Sequence, residues 1–138
     1  MVDLRLTDDG DLVIGPNGDL ELVWGDEQIA QEVIFRLKTT IGDWLLAPHV
    51  GADLESFIGE PNVPLVRAAI EKQIRDSLTQ DNLLFLPEVS AISIGDNEIF
   101  ILIEFGSLED DERVIQVQSG LSLAKGLVFS RATVRNLN

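Results

Sequence analysis

Between Ile29 and Gly51 the chain reads IAQEVIFRLKTTIGDWLLAPHVG. A helix-period apolar stripe gives way there to an extended apolar stretch closed by Pro48 and Gly51. Ile29, Val33, Leu37 and Ile41 fall at i, i+4, i+8 and i+12, and Ala30 and Ile34 widen the stripe. One face of a helix must therefore be buried. Gln28, Gln31, Glu32, Arg36 and Lys38 are expected to face outward. The helix should start near Asp26 as its N-cap and run to about Thr40. Gly42 should end it, since glycine accepts left-handed geometry. Trp44, Leu45 and Leu46 then read as a short strand or extended segment, with Trp44 as a core plug. The stretch carries no catalytic apparatus. Any function it has lies in how the plug fixes the helix-to-strand angle.

Upstream, the apolar residues alternate instead. Leu4 and Leu6, Leu12 and Ile14, and Leu20, Leu22 and Trp24 are separated by Asp8-Asp9-Gly10 and Gly15-Pro16-Asn17-Gly18. Proline fixes φ and Asn-Gly tolerates positive φ, so these are turns. The pattern predicts a small antiparallel β-meander over residues 1–24. Gly10-Asp11-Leu12 echoes in Gly18-Asp19-Leu20, too briefly to mean a repeat architecture.

Downstream, Asp53 to Ile58 should form one or two helical turns capped by Asp53, broken by Gly59-Glu60-Pro61. A second helix follows, capped by Asn62 with Pro64 in its first turn, and runs to about Thr79. Val66, Ile70, Ile74 and Leu78 make its buried stripe, and Glu71 and Arg75 are spaced as an i,i+4 pair. Strands are predicted over Val89–Ile94, Glu98–Phe105, Arg113–Gln118 and Leu127–Val134, with an acidic loop from Ser107 to Glu112. Ile99 to Ile103 is unbroken apolar sequence, which marks a strand covered on both faces, at the sheet centre or under a partner. The connections are too short for parallel crossovers. The fold class is therefore α+β: two main helices packed on an antiparallel sheet, with an N-terminal β-meander. A length of 138 residues predicts a single domain over 1–138, made of 1–24, 25–82 and 83–138.

Composition excludes several chemistries. Cysteine is absent, which removes disulfides, thiolate nucleophiles and Cys-ligated metals. No apolar run reaches the length of a membrane span, and no leader is expected. A formal charge of −14 disfavours nucleic acid and anionic membranes as partners. It suits solubility, or complementarity to basic surfaces on protein partners. His49 is the only histidine, so no His dyad or His metal cluster exists, and the serines lack a nucleophile-elbow context. Asp53, Glu55, Glu60 and Glu88 could supply a glycosidase-type carboxylate pair. With 24 acidic side chains in the chain, such pairs arise by chance. The acidic loops lack calcium-loop spacing, and the Gly15–Gly18 turn precedes a strand rather than a helix. No catalytic residue, cofactor or metal is expected.

Gly25, Glu27, Ile29, Leu37, Thr39, Gly42, Asp43, Trp44, Leu45, Leu46, Pro48 and Gly51 together resemble a known pattern. It belongs to the small wedge and sheath-initiator subunits of contractile phage-tail baseplates, a family also found in type VI secretion baseplates. Some members have been labelled tail lysozymes, so a peptidoglycan-degrading enzyme is the alternative. The resemblance spans roughly residues 19 to 105, with Gly42, Asp43, Trp44, Pro48 and Gly51 as its structural motif. It implies a structural virion protein in the tail baseplate, assembled in the host cytoplasm and arranged as a hexameric ring. Its implied partners are other baseplate wedge proteins and the tail sheath protein, with tube or hub proteins as further neighbours. The family's Glu-Pro-Arg docking motif corresponds to Leu86-Pro87-Glu88. Pro87 is kept, while Leu86 stands for the acid and Glu88 for the arginine, so an apolar or sign-reversed joint is implied. Leu127–Val134, with Val128, Ser130 and Ala132, is the candidate edge for adding a sheath strand. Removing residues 127–138 is expected to leave the rest folded.

Overall fold

The computed structural model describes residues 2–7, 11–40, 50–107 and 109–136. Its elements run β1 (Val2–Leu4), β2 (Leu22–Trp24), α1 (Gly25–Lys38), α2 (Pro64–Thr79), β3 (Glu88–Ser93), β4 (Glu98–Gly106), β5 (Arg113–Ser122) and β6 (Gly126–Asn136). Short 3-10 turns cover Leu54–Phe57 and Gln80–Asn82. The α+β expectation holds, with two helices and a four-stranded antiparallel sheet in the order β3-β4-β5-β6.

Strand alternation explains the core. Ile99, Ile101, Ile103 and Phe105 point to one face of β4, and all are buried. Ile115, Val117 and Leu121 of β5 join them, and Val33 and Leu37 of α1 pack there with Ile70, Ile74 and Leu78 of α2. The intervening Phe100 and Leu102 are only half-buried, and Ile92 on β3 is exposed. Ile99–Ile103 therefore lies at the sheet centre as expected, but the described residues cover one face of it fully and the other only in part. Antiparallel sheets tolerate that one-sided arrangement.

β6 pairs with β5 from Arg113↔Asn136 to Ser122↔Gly126, with one bulge at Gly120/Leu121. A strand joined along its whole length to a core strand is not a removable tail. The expectation that residues 127–138 are dispensable for folding is accordingly revised.

The N-terminal meander does not form. In a meander the first and third strands never meet, whereas here β1 pairs directly with β2 through Leu4↔Leu22 and its neighbours. Single bridges link Leu6↔Leu12 and Ile14↔Leu20. The Arg5 N–H donates to the Glu21 carbonyl at 2.8 Å, the Glu21 N–H to the Val13 carbonyl at 3.0 Å, and the Val13 N–H to the Arg5 carbonyl at 3.1 Å. Three backbone bonds thus close a triangle. Asp-Leu-x-Leu/Ile recurs at 3–6, 11–14 and 19–22, so the short echo noted in the sequence is part of a threefold one. Closing the ring satisfies main-chain groups that an open meander would leave at its edges. Gln31 of α1 fastens the ring to the helix, accepting from the Leu6 N–H at 2.8 Å and donating to the Leu4 carbonyl at 2.7 Å.

Both helix starts differ from expectation. Trp24 occupies the N-cap position of α1 without a side-chain cap bond, and Asp26 is buried instead. Val63 caps α2, with Pro64 in its first turn as predicted. Asn62 donates to Ser93 Oγ at 2.9 Å and to the Gly95 carbonyl at 2.8 Å, so it ties α2 to the β3–β4 turn. An exposed i,i+4 ion pair forms between Lys72 and Asp76. Asp53 precedes the first 3-10 turn in left-handed geometry with no side-chain cap bond.

Gln28 and Arg36, expected outside, are both buried. Arg36 reaches across to the end of α2, where its Nη1 donates to the Ser77 carbonyl at 2.6 Å and the Gln80 carbonyl at 3.1 Å. Its other nitrogens lie near Glu32 and Asp81. A helix leaves its last carbonyls without partners of its own, and one guanidinium satisfies two acceptors at this end.

Candidate functional site

The stretch from Gly25 to Gly51 is pinned at both ends. Gly25 has φ 63°, and the Glu109 carboxylate fills the space a Cβ would need. The positive φ favours glycine, while the Glu109 side chain could swing aside from a Cβ. Next to it, Asp26 Oδ2 accepts from Ser107 Oγ at 2.6 Å, and Ser107 Oγ accepts from the Glu109 and Asp110 N–H groups. Arg113 Nη2 stands 3.8 Å from the same carboxylate. The start of α1 is thereby latched to the β4–β5 loop. Glu27 takes a 2.6 Å hydrogen bond from Arg5 of the ring, and Ile29 packs on the core.

At the other end, Thr39 Oγ1 donates to the Phe35 carbonyl at 2.7 Å, and the Ala52 N–H donates to the Arg36 carbonyl at 2.8 Å. Gly51, at φ 133°, lies so close to Thr39 that a Cβ would strike its carbonyl. Residues 39 and 51 therefore meet at the end of α1. Gly42, Asp43, Trp44 and Pro48, with the extended segment expected at Trp44–Leu46, lie outside the described residues.

The Leu86-Pro87-Glu88 position forms an apolar knuckle. Phe85 is 89% and Leu86 76% exposed, Pro87 is buried, and Glu88 is exposed where β3 begins. Leu86 sits at φ 51°, a left-handed conformation that costs a residue with a Cβ about 1–2 kcal/mol. Leu86→Gly is expected to raise stability by about 0.5–1 kcal/mol in urea denaturation. A loss of stability would show that the Leu86 side chain supports the fold.

On β6, Val128 is 66% exposed and Ala132 is exposed as well. Ser130 is buried, its Oγ 3.0 Å from Ser119 Oγ of β5. Val128 and Ala132 are thus accessible at the sheet edge, while Ser130 joins the two strands. Beside β6 lies a cavity of about 690 Å³, lined by Leu37, Thr39, Leu54, Lys125 and Phe129 among others. The carboxylates considered as a catalytic pair lie at three places along the chain, with Asp53 and Glu55 together at the first 3-10 turn. Glu55, Glu60 and Glu88 are exposed on the 3-10 turn, in the break before α2 and at the start of β3, and Asp53 is half-buried. Among the described residues no group of acids or histidines could hold a metal. No described helix is long and apolar enough to cross a membrane.

Residues 2–84 match the family model for the contractile injection system sheath initiator. The chain belongs to the sheath-initiator family. The matched span takes in the ring, both helices and the pinned stretch between them, and it stops just before the Phe85-Leu86 knuckle. No curated protein matches. A solved structure from Geobacter sulfurreducens, named as a "putative tail lysozyme", aligns over 82% of this chain and 91% of its own at 13% identity and a TM-score of 0.41. So distant a likeness carries no argument about catalysis. As a sheath initiator the chain is a component of a contractile injection system that engages sheath. Two elements that hold its shape escaped sequence reading: the Asp26–Ser107 latch and the backbone triangle. The third Asp-Leu copy, at residues 3 and 4, was the available signal for the triangle.

Proposed function

We propose that this sheath initiator is a non-catalytic joint that starts the sheath by offering β6 as an edge strand and is held in the baseplate through the Phe85-Leu86-Pro87-Glu88 knuckle. The observation that carries this reading is β6 itself. It is an eleven-residue strand that ends the sheet, with Val128 and Ala132 accessible along it. A sheet edge adds a partner strand through main-chain bonds, and side chains beside the edge set which partner fits. The exposed apolar pair Phe85 and Leu86 supports an uncharged version of the docking contact to wedge proteins. In this reading the chain acts as one unit in the six-fold baseplate of a phage tail or related injector, assembled in the host cytoplasm. Glu55, Glu60 and Glu88 are all exposed to solvent, outside the desolvated cleft that a general acid needs, which supports a role without hydrolysis.

Lysines on edge strands block strand addition. The double variant Val128→Lys/Ala132→Lys is expected to melt within about 0.5 kcal/mol of the parent, since both positions are exposed. Sheathed particles counted by electron microscopy should fall at least tenfold, while the variant still enters the baseplate. Sheath yield equal to that of the parent would remove β6 as the initiating edge.

A further inference from the structure

The N-terminal ring has an outer surface that the described residues leave uncovered. Leu4, Leu12, Ile14, Leu20, Leu22 and Trp24 are all exposed, Ile14 and Trp24 each by 65%. The ring is tied down from within by the Arg5–Val13–Glu21 triangle and by Gln31, so these side chains are held in place rather than left to collapse inward. A clustered apolar surface of this kind on a soluble protein marks an interaction site.

Charge decides what the site accepts. Residues 1–24 carry Asp3, Asp8, Asp9, Asp11, Asp19 and Glu21 against the single basic residue Arg5. Asp11 and Asp19 are exposed in equivalent positions, each directly before an exposed leucine. A cavity of about 290 Å³ opens beside the ring between Val23, Trp24, Glu27, Glu109 and Arg113, with Asp26 in its wall. Among the described residues Asp26 Oδ1 has no hydrogen-bond partner, while Arg5 and Arg113 also line this cavity, so the acids exposed on the ring, Asp11 and Asp19, and not Asp26, set the preference for a basic partner. A second copy of this chain would bring the same acids face to face, and a chain of charge −14 repels itself. Anionic surfaces are disfavoured on the same ground.

We infer that the ring docks an apolar segment of another protein subunit that carries arginine or lysine at its margin, at a surface separate from β6 and from the Phe85-Leu86 knuckle. The apolar side chains supply contact area, and the acids select a basic-rimmed partner over alternatives. The inference rests on the assembly reading above, so its test includes a control for that reading.

A photo-reactive amino acid is placed at Leu12 or, as the control, at Val128 of β6. Particles are then assembled with the chain's own genomic neighbours and irradiated, and adducts are identified by mass spectrometry. From position 12 the expected adduct is a segment of a non-sheath subunit in which apolar residues adjoin arginine or lysine. Ile14→Ser/Leu20→Ser and Asp11→Lys/Asp19→Lys should each lower its yield at least tenfold with unchanged circular dichroism and monomeric sedimentation. A variant that changes either signal is replaced by the single substitution Ile14→Ser or Asp19→Lys. The inference is overturned by an adduct to sheath or to a second copy, by a segment lacking basic residues, or by unchanged yield in the variants. An adduct at 128 with none at 12 overturns it alone. Adducts at neither position overturn the assembly reading with it.

Discussion

Deleting residues 127–138 is expected to unfold this protein rather than shorten it. β6 covers the full length of β5, from Arg113↔Asn136 to Ser122↔Gly126. Without it, Ile115 and Val117, now fully buried, would stand on an open edge beneath the space β6 had occupied. Fully burying side chains of this size contributes about 1.5–3 kcal/mol each, and a domain's whole stability is about 5–15 kcal/mol. The main-chain groups of β5 would also lose their partners on one side, at a net cost of roughly 0.5–1.5 kcal/mol per bond. The truncated chain should show no cooperative urea transition and poor dispersion in amide NMR spectra. A cooperative melt within a few degrees of the parent would show that the β3–β5 sheet and the helices suffice. This is why point substitutions, and not truncation, are needed to test β6 as an assembly edge.

Arg36→Met should destabilise the fold by about 1–3 kcal/mol, the range for leaving a buried hydrogen-bond acceptor without its donor. The methionine can occupy much of the arginine's volume, so the cost arises mainly from the acceptors left behind. The carbonyls of Ser77 and Gln80 would lose their donor at the end of α2, and Glu32 and Asp81 would lose a counter-charge. For a chain of this size the melting midpoint should fall by roughly 3–12 °C. Arg36→Lys should recover less than half of the loss, because a single ammonium cannot reproduce the planar fork that reaches both carbonyls. A loss below 1 kcal/mol for Arg36→Met would mean that water replaces the guanidinium at little cost.

The two helices and the four C-terminal strands were legible because their burial follows simple periods. Val33 and Leu37 on α1 and Ile70, Ile74 and Leu78 on α2 fall where periodicity put them, whereas the unbroken apolar run Ile99–Ile103 marked a central strand but not which of its faces is buried. Arg36 and Gln28 show where that reading stops. Helical period assigns a side to each residue but does not reveal a polar group matched by distant backbone; the carbonyl of Ser77 lies 41 residues beyond Arg36. Asp26 looked like a helix cap because capping is local, while its observed partner, Ser107, is 81 residues away. The N-terminal triangle was missed for a different reason. Alternation within each arm fits a meander and a closed ring equally well, and only the pairing of the first arm with the third separates them. Of the candidate contact residues, Leu86 and Glu88 proved exposed and Ser130 buried. Solvent exposure along an edge strand depends on what crosses it, which β6's own letters do not record.

The antiparallel join between β5 and β6 also has a mechanical consequence. Its hydrogen bonds lie perpendicular to the strands. Traction along β6 loads the rungs together in shear, whereas a pull outward from the Asn136 end opens them one after another, like a zip. The joint is therefore stiff in one direction and yielding in another, and the line along which a neighbour tugs decides whether it holds.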